Sequence, residues 1–471
     1  MPQAMEVDVV ILGAGTAGLN ALRQVKAAGK SFALIERGEL GTMCARVGCI
    51  PSKAVLHASE LNGLAASEEN GEPASREITQ RANELWRAAR ATRDESVAGM
   101  AGETRELAGE GLIRGEARVS GANEIQVGDR VIRARAIVIA TGSAPFVPDA
   151  WKALGDGILT TDSLFDLAAL PASIALVGLG AIGLEMGVAL SRLGVRVIGA
   201  DRAKVVGGIK DPAIAQRAQQ HFEREMTMWL DAPVDIQRYG AGRFELVSGD
   251  AGERRAEVDC VLVALGRHAT LGTLGLHHAG IEVDEHGSVP FDPQTMRIGA
   301  SNFYLAGDVD NARPLQHEAA DEGSMAGWNA ARHGANDSWQ RRVPLSIAFT
   351  NPDFASIGCA FDALPAGTFI AEGTASGNAR STITGQRDNV VRLYVEPDTG
   401  TLLGATLFGG AGEHLAHLLA WAVQRGESVR TLLQLPFYHP SVEEIVQTAL
   451  RDAVSKLGGP RSLELARCSQ R

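Results

Sequence analysis

The 471-residue sequence predicts an α/β fold with two Rossmann-like dinucleotide-binding units and a C-terminal α+β domain. A Gly-x-Gly-x-x-Gly pattern occurs twice, each time between a strand-like and a helix-like segment. Glycine contributes 54 residues, about 11% of the chain against a usual share near 7%. From about Val343 the composition changes to separate strand-like runs. At roughly 150 residues per domain, the length suits about three domains.

The first unit consists of a strand, a glycine turn, a helix and a second strand that ends at an acid. The first strand is a short β-branched run, which is typical of a strand buried in a parallel sheet. In chain order, these segments are Val7–Leu12, the turn with Gly13, Gly15 and Gly18, Leu19–Ala28, Phe32–Ile35 and Glu36.

The second unit repeats this order with the same internal spacing. Its segments are the strand Ile174–Val177, the turn with Gly178, Gly180 and Gly183, a helix to Leu193, the strand Val195–Ala200 and Asp201. In both copies the acid lies 18 residues after the third glycine.

A single glycine pattern often serves only helix–strand packing, but two matched copies predict two dinucleotide sites. The first glycine forms the turn, the second admits the pyrophosphate and the third lets helix and strand pack closely. The helix N-terminus favours the phosphate charge, and the acid accepts hydrogen bonds from the adenosine ribose.

Three further strand–glycine junctions extend the plan. The first ends at Thr141-Gly142, the second at Gly266-Arg267 and the third at Gly307-Asp308. The junction at Gly142 ends the first nucleotide-binding unit, and the junction at Gly266 ends the second. At Gly307 the chain returns to the first unit. The predicted domains are a first nucleotide-binding domain at 1–148, a second at 149–270, a central return segment at 271–342 and an interface domain at 343–471.

The remaining segments are predicted from their apolar patterns. Two surface helices are expected within Glu60–Arg105, joined at Gly71-Glu72-Pro73, and a loop followed by a helix within Asn311–Trp328. In the interface domain the predicted strands and helices are Val390–Val395, Leu402–Leu407, Glu413–Gln424 and Val442–Leu457.

Charge and composition exclude several classes of protein. A net charge of -11 argues against nucleic-acid and anionic-membrane partners, which need a basic surface. Five cysteines are too few for a secreted disulfide scaffold of this length. Met1–Asp8 lacks a signal peptide's pattern, and the apolar run Ile174–Leu184 is too short to span a bilayer. These features predict a soluble cytoplasmic protein.

Cys44 and Cys49 lie five residues apart, shortly before Ile50-Pro51-Ser52-Lys53. Zinc ligands would need a second pair, whereas the other cysteines are scattered singly, so no metal site is predicted. The pair therefore represents either two buried free thiols or a redox-active disulfide beside a flavin.

A second candidate group lies near the other end of the chain. His439 precedes Pro440, and Glu444 follows at a predicted helix start. The carboxylate could accept an imidazole N–H, which would orient the histidine as a general base able to deprotonate a thiol. A lone histidine is more often structural, so this hypothesis depends on the cysteine pair.

Together these motifs resemble those of the FAD-dependent pyridine nucleotide–disulfide oxidoreductases, and the resemblance covers essentially the whole chain. The cysteine motif followed by Ile-Pro-Ser-Lys is most similar to the dihydrolipoamide dehydrogenase subgroup. The implied activity is oxidation of dihydrolipoamide by NAD through FAD. The implied partners are a second copy of the chain and a lipoyl-bearing acyltransferase of a 2-oxo acid dehydrogenase complex.

The resemblance also implies roles for individual residues. Cys49 would be the thiolate beside the flavin, Cys44 would exchange with substrate, and the partner subunit's histidine, oriented by Glu444, would be the base. Lys53 would lie at flavin N5, paired with Glu185. The remaining implied contacts to FAD or NAD are Gly13, Gly15, Gly18, Glu36, Thr141, Gly142, Gly178, Gly180, Gly183, Asp201, Gly266, Gly307 and Asp308.

The sequence departs from the family pattern at several positions, none of them a predicted catalytic group. Arg46 stands where the pattern has asparagine, which would place a charge near the disulfide mouth. The other departures are Met43 before the first cysteine, Ala269-Thr270, and Gln316-His317-Glu318-Ala319.

Rival activities are disfavoured by particular residues. Asp201 disfavours an NADPH-dependent glutathione reductase, although Arg202 beside it favours one. Cys468 alone lacks the vicinal thiol partner of a mercuric reductase, and both active-site cysteines disfavour a soluble transhydrogenase. A non-catalytic subunit that binds a lipoyl complex is disfavoured by the complete cysteine, histidine and glutamate set.

Overall fold

The computed structural model describes residues 5–66, 76–240, 242–332, 336–458 and 464–465. The predicted joint at Gly71-Glu72-Pro73 and Cys468 lie outside these ranges. The strands are β1 (Met5–Leu12), β2 (Phe32–Glu36), β3 (Leu112–Arg114), β4 (Ala117–Gly121), β5 (Glu124–Val127), β6 (Arg130–Ile139), β7 (Ser143–Pro145), β8 (Ile158–Leu159), β9 (Ser173–Val177), β10 (Arg196–Ala200), β11 (Thr227–Trp229), β12 (Val234–Tyr239), β13 (Arg243–Ser248), β14 (Arg254–Val258), β15 (Cys260–Val263), β16 (Arg267–Ala269), β17 (Phe303–Leu305), β18 (Leu345–Ala348), β19 (Asp353–Gly358), β20 (Phe369–Thr374), β21 (Val390–Val395) and β22 (Leu402–Gly409).

The described residues also form thirteen α-helices. They are α1 (Thr16–Ala27), α2 (Met43–Val47), α3 (Cys49–Ala66), α4 (Arg76–Ala108), α5 (Asp149–Lys152), α6 (Thr161–Leu164), α7 (Ala181–Arg192), α8 (Pro212–Phe222), α9 (Gln316–Ala331), α10 (Ala379–Thr384), α11 (Gly412–Gln424), α12 (Val429–Leu433) and α13 (Glu444–Leu457). Within the described ranges, none of them is both long and apolar enough to cross a membrane.

The chain divides into two compact units. Unit 1 comprises residues 1–55, 83–170 and 265–341, and unit 2 comprises residues 56–82, 171–264 and 342–471. The chain therefore leaves unit 1 three times, after Val55, Leu170 and Arg341, and returns to it at Asn83 and Leu265.

Unit 1 is built on a parallel sheet in the order β3-β2-β1-β6, with β17 also paired to β6 and with β4 and β5 added antiparallel. The last four residues of β1 are all buried, as expected for a strand covered on both faces. One face carries an apolar cluster with α1 and α9, and the other a cluster that includes residues from β4 to β6. This sheet brings the carboxyl ends of β1, β6 and β17 to one edge.

The α1–α9 packing depends on glycines of α9. A Cβ at Gly323 would lie 2.1 Å from the Ala17 carbonyl oxygen, and one at Gly327 would lie 2.4 Å from that of Ala21. The two backbones therefore approach closely, which holds α9 against the first nucleotide-binding helix.

Unit 2 contains a second parallel sheet, in the order β11-β10-β9-β15, with α7 following β9. Strands β12 to β14 form an antiparallel sheet of their own. The C-terminal part is an antiparallel sheet in the order β18-β19-β22-β21-β20, whose apolar cluster includes residues of α11, α12 and α13. The predicted α/β fold with two Rossmann-like units and a C-terminal α+β domain is confirmed.

Two sequence predictions differ from the structure. The helix predicted from Glu60 already begins at Cys49, because the glycine turn at Gly48 separates it from α2. The segment after it is not simply a surface helix, since Trp86 on α4 is fully buried and donates its indole N–H to the Leu167 carbonyl at 2.9 Å.

Candidate active site

The first glycine turn has the geometry of a dinucleotide site. Gly13 has a φ of +104°, which favours glycine, and a Cβ at Gly18 would lie 1.9 Å from the Gly13 carbonyl oxygen. Gly15 faces open space, so that the backbone is accessible there. Glu36 accepts hydrogen bonds from the backbone N–H groups of Ala14 (2.8 Å) and Gly38 (2.7 Å). Its oxygens thus fix the turn and keep further lone pairs for a ribose hydroxyl.

A cavity of about 280 Å³ opens in front of this turn. Its wall includes Gly13–Gly15, Glu36 and the Thr141–Ser143 segment after β6. The first N–H groups of α1 have no partner within the helix and carry its partial positive charge. The hydroxyl of Thr141 is buried without a hydrogen-bond partner in the described chain. An open glycine backbone, a helix N-terminus and an unpaired hydroxyl fit a dinucleotide diphosphate.

Sequence reasoning missed two residues that organise the far side of this cavity. The Ser143 hydroxyl donates to the Asp308 carboxylate at 2.8 Å. Arg267 donates to the same hydroxyl from Nε at 2.8 Å and to the Ser143 carbonyl from Nη2 at 2.9 Å. Ser143 therefore links Asp308 to Arg267, and both Ser143 and Arg267 line the cavity. The sequence signal for Arg267 is the Gly266-Arg267 pair, which predicts only the end of the second nucleotide-binding unit. The structure shows that the Arg267 side chain contributes to the first unit.

Buried carboxylates support the loop that carries Asp308. Glu322 on α9 accepts a hydrogen bond from the Gly307 backbone N–H at 2.7 Å and pairs with Arg341. Burial and the charge of Asp310 raise the pKa of Glu322 to about 7. Glu318, one of the departures from the family pattern, is buried and bonded to Arg313 and Arg341. These ion pairs neutralise Glu318, so the departure is accommodated within unit 1.

The second glycine turn, in unit 2, repeats the first. Gly178 has a φ of +96°, a Cβ at Gly183 would lie 2.0 Å from the Gly178 carbonyl oxygen, and Gly180 faces open space. Asp201 accepts the backbone N–H groups of Leu179 (2.6 Å) and Ala203 (2.8 Å). The turn has the same fit to a dinucleotide as the first.

The two cysteines occupy the first turns of successive helices in unit 1. Cys44 lies on α2, which Thr42 caps by accepting the Ala45 N–H at 3.3 Å, and Cys49 is the first residue of α3. Both are free thiols in this structure; Cys44 is half-buried and Cys49 exposed. A hydrogen bond to Cys49 and burial raise the pKa of Cys44. The predicted role of Cys49 as the thiolate of the pair stays a prediction.

Arg46, one of the departures from the family pattern, extends along the cavity of unit 1. Its side chain lines the cavity that opens onto the first glycine turn, and its guanidinium donates to the Glu39 carbonyl at 3.4 Å. Arg46 follows Cys44 by two residues, so the two side chains leave α2 on nearly opposite faces. Its predicted position near the disulfide mouth stays a prediction.

The histidine–carboxylate pair forms within unit 2. His439 Nδ1 lies 3.0 Å from Oε1 and 3.2 Å from Oε2 of Glu444, and the side chain of His439 is 71% exposed. Glu444 also accepts the Ser441 N–H at 3.0 Å. The hydrogen bond to His439 and that to Ser441 lower the pKa of Glu444. The carboxylate thereby holds Nδ1, and the predicted role of His439 as a base stays a prediction.

Lys53 and Glu185 are placed in different units, and their predicted pairing stays a prediction. Lys53 lies four residues after Cys49 on α3, which puts the two on the same helix face. Glu185 on α7 is buried and accepts the Phe349 N–H at 3.0 Å. Among the described residues, no group of three acidic, histidine or cysteine side chains is arranged to hold a metal ion.

Residues 7–334 match the family model of pyridine nucleotide-disulphide oxidoreductases, and residues 344–450 match the dimerisation domain of that family. The chain therefore belongs to the pyridine nucleotide-disulphide oxidoreductases, and the predicted family is confirmed. FAD and NAD are the cofactors of this family and of its dihydrolipoyl dehydrogenases, as predicted. The cavity of unit 1 fits FAD, and the glycine turn of unit 2 fits NAD.

The relatives of this chain include enzymes with different named activities. A dihydrolipoyl dehydrogenase of Thermus scotoductus is 30% identical, over 93% of this chain and 95% of the relative. A mercuric reductase of Staphylococcus aureus is 28% identical, over 91% of this chain and 79% of the relative. The solved structure of the HOCl-induced flavoprotein disulfide reductase RclA from Escherichia coli has a TM-score of 0.81 at 21% identity, covering 95% of this chain and 99% of that one. The last likeness shows the fold alone.

Alanine at the third glycine of each turn should separate the two cofactors. Gly18→Ala places a Cβ where it collides with the Gly13 carbonyl, so we expect purified protein to lose most of its FAD. Gly183→Ala makes the matched change in unit 2 and should keep FAD while weakening NAD binding by roughly tenfold or more, the effect of about 1.4 kcal/mol of misfit. Flavin absorbance per chain and NAD titration measure the two effects. Full FAD content in Gly18→Ala would contradict the assignment of the first turn.

Proposed function

We propose that this chain is a dihydrolipoyl dehydrogenase, which oxidises dihydrolipoamide to lipoamide with NAD as the final electron acceptor. The observation that carries the proposal is the hydrogen-bonded pair of Cys44 and Cys49 in the unit that contains the FAD cavity. The His439–Glu444 pair and the named dihydrolipoyl dehydrogenase relatives support it.

The reaction starts from the oxidised cysteine pair. His439 Nε2 removes a proton from one thiol of the substrate, and the resulting thiolate attacks the sulfur of Cys44. A mixed disulfide forms, the Cys44–Cys49 bond breaks, and Cys49 leaves as a thiolate. The second substrate thiol then attacks the substrate sulfur of the mixed disulfide. The products are a cyclic disulfide and the reduced cysteine pair.

Regeneration requires that the reduced pair lose two electrons. Bound FAD would supply this redox chemistry between the dithiol and NAD. The chain's own part is to hold Cys49 as the thiolate. The hydrogen bond between the two thiols and burial raise the pKa of Cys44, which supports Cys49 as the thiolate of the pair.

The base comes from a second copy of the chain in this proposal. His439 is largely exposed in the single chain, which leaves Nε2 accessible to a partner's site. The dimerisation domain also presents large apolar side chains to solvent, among them Trp421 and Leu418 on α11 and Leu435, exposed by 63%, 47% and 54%. Such a patch is typical of a protein interface and supports a homodimer. The expected further partner is a lipoyl-bearing acyltransferase, since the protein-bound lipoyl group is the substrate's natural form in this reaction class.

The alternative is a reductase that runs from NAD(P)H to another disulfide or to a metal ion. The mercuric reductase relative favours this alternative, and Arg202 beside Asp201 offers a positive charge for NADPH. Steady-state turnover decides between the two. We expect the highest kcat/KM with dihydrolipoamide and NAD, against NADPH with glutathione disulfide or with mercuric ion. Turnover confined to an NADPH-dependent pair would refute the proposal, and no turnover with any pair would favour a binding subunit.

Asp201 should set the preference between the nicotinamide cofactors. Its carboxylate can accept hydrogen bonds from a free 2′-hydroxyl, whereas a 2′-phosphate would bring like charges together. We expect kcat/KM for NAD to exceed that for NADP by at least roughly tenfold, equivalent to about 1.4 kcal/mol. Asp201→Asn should narrow the difference, and Arg202→Gln should widen it. A wild-type preference for NADP would show that Arg202 dominates the site.

A further inference from the structure

The cofactor cavity contains a positive charge that the family pattern does not provide. Arg46 lies on the short helix α2 together with Cys44, but successive residues of a helix are rotated by about 100°, so its side chain leaves the helix about 200° from that of Cys44. The charge therefore belongs to the cavity and not to the face of the helix that carries the reactive sulfur.

The stem of Arg46 is directed along the cavity wall by a glycine. A Cβ at Gly41 would lie 3.4 Å from Cγ and 3.5 Å from Cδ of Arg46, so the aliphatic stem packs directly on the Gly41 backbone. The guanidinium then reaches back to the Glu39 carbonyl at 3.4 Å. Within the described chain this long contact is its one hydrogen bond. Most of the five N–H donors of the guanidinium thus stay available to a ligand.

A diphosphate bound in this cavity requires positive charge close to it. The diphosphate of FAD carries two negative charges, whereas the N-terminus of α1 supplies only about half a positive charge. Two other arginines line the cavity, but Arg267 is bonded to Ser143, and Arg37 follows Glu36 at the ribose-binding end. Three exposed acids, Glu39, Glu116 and Asp162, also line the cavity and add negative charge. Arg46 is therefore the cation best placed to neutralise the diphosphate.

We infer that Arg46 binds the FAD diphosphate together with the N-terminus of α1. This inference goes beyond the proposed function, because it concerns how FAD is held and does not depend on which disulfide or dithiol is the substrate. It also explains how a charge is tolerated two residues from a reactive cysteine, since the charge faces the cofactor and not the substrate.

The test compares holoenzymes of wild type, Arg46→Gln, Arg46→Lys and the control Arg23→Gln. Arg23 lies on α1 but pairs with Glu103 on α4, away from the cavity lining. Release of FAD is followed by flavin fluorescence after dilution, and the bound diphosphate is observed by phosphorus NMR. We expect Arg46→Gln to release FAD roughly 10 to 100 times faster, the effect of losing a hydrogen bond to a charged group. Arg46→Lys should recover part of the loss, and Arg23→Gln should match wild type.

The phosphorus resonances should move in Arg46→Gln and not in Arg23→Gln. Equal release rates and unchanged resonances in Arg46→Gln and wild type would overturn the inference. A raised KM for dihydrolipoamide with unchanged FAD release would overturn it as well, because Arg46 would then serve the substrate. The FAD-release and phosphorus outcomes do not depend on the proposed activity, whose failure would appear as absent turnover in a wild-type protein that still holds FAD.

Discussion

Cys44→Ser and Cys49→Ser should each abolish dihydrolipoamide oxidation, lowering kcat by at least roughly a thousandfold, because neither single thiol can complete the two-step exchange. The two variants should nevertheless differ in their spectra. With Cys44 replaced, Cys49 remains as a free thiolate, and a long-wavelength absorption band should be present without any reductant. Cys49→Ser should lack this band.

The matched control is Cys359→Ser in unit 2, where the thiol donates to the Ala360 and Ala363 carbonyls. This variant should keep wild-type turnover and spectrum. A band in Cys49→Ser and none in Cys44→Ser would show that the two sulfurs have the reverse roles. Substantial turnover in either active-site variant would refute thiol–disulfide exchange at this pair.

His439→Gln should lower kcat by roughly 100- to 10,000-fold, the usual contribution of a general base. The stronger test of a shared active site uses mixed dimers. A dimer of one Cys44→Ser chain and one His439→Gln chain has one site with both defects and one site with neither, if the base crosses the two-fold axis. Random reassembly of the two inactive variants should therefore restore about a quarter of wild-type activity.

The control replaces His286, which is exposed on unit 1, by glutamine. His286→Gln alone should be fully active, and mixing it with Cys44→Ser should give only the activity that the His286→Gln chains contribute. Verified mixed dimers of the Cys44 and His439 variants without recovered turnover would show that the histidine serves its own subunit.

The architecture was predictable because its signals are local and repeated. Each glycine turn combines a positive φ at the first position with a backbone contact at the third, and no other residue type satisfies both requirements. The position of the acid in the sequence is set by the length of the helix and strand that follow the glycine turn. His439 and Glu444 were predictable because a helix start brings residues five apart within hydrogen-bond distance.

What the sequence did not predict depends on contacts between distant segments. Arg267 and Ser143 are 124 residues apart, and only the pairing of β16 with β7 brings them together. The direction of Arg46 depends on the short helix α2 ending before α3, which the residue pattern did not specify. The sequence did not predict the antiparallel sheet of β12 to β14. Its strands contain many exposed charged residues and few apolar ones, so their apolar pattern is weak.

The central claim is that Cys44 and Cys49 are a redox pair reduced by a substrate dithiol. The most direct measurement is anaerobic alkylation of the wild-type holoenzyme, read by mass spectrometry before and after one equivalent of dihydrolipoamide. The account predicts that neither cysteine is alkylated in the oxidised enzyme and that both are alkylated after the dithiol is added, while Cys359 is unchanged. Alkylation of both cysteines before the dithiol is added, or of neither afterwards, would contradict it.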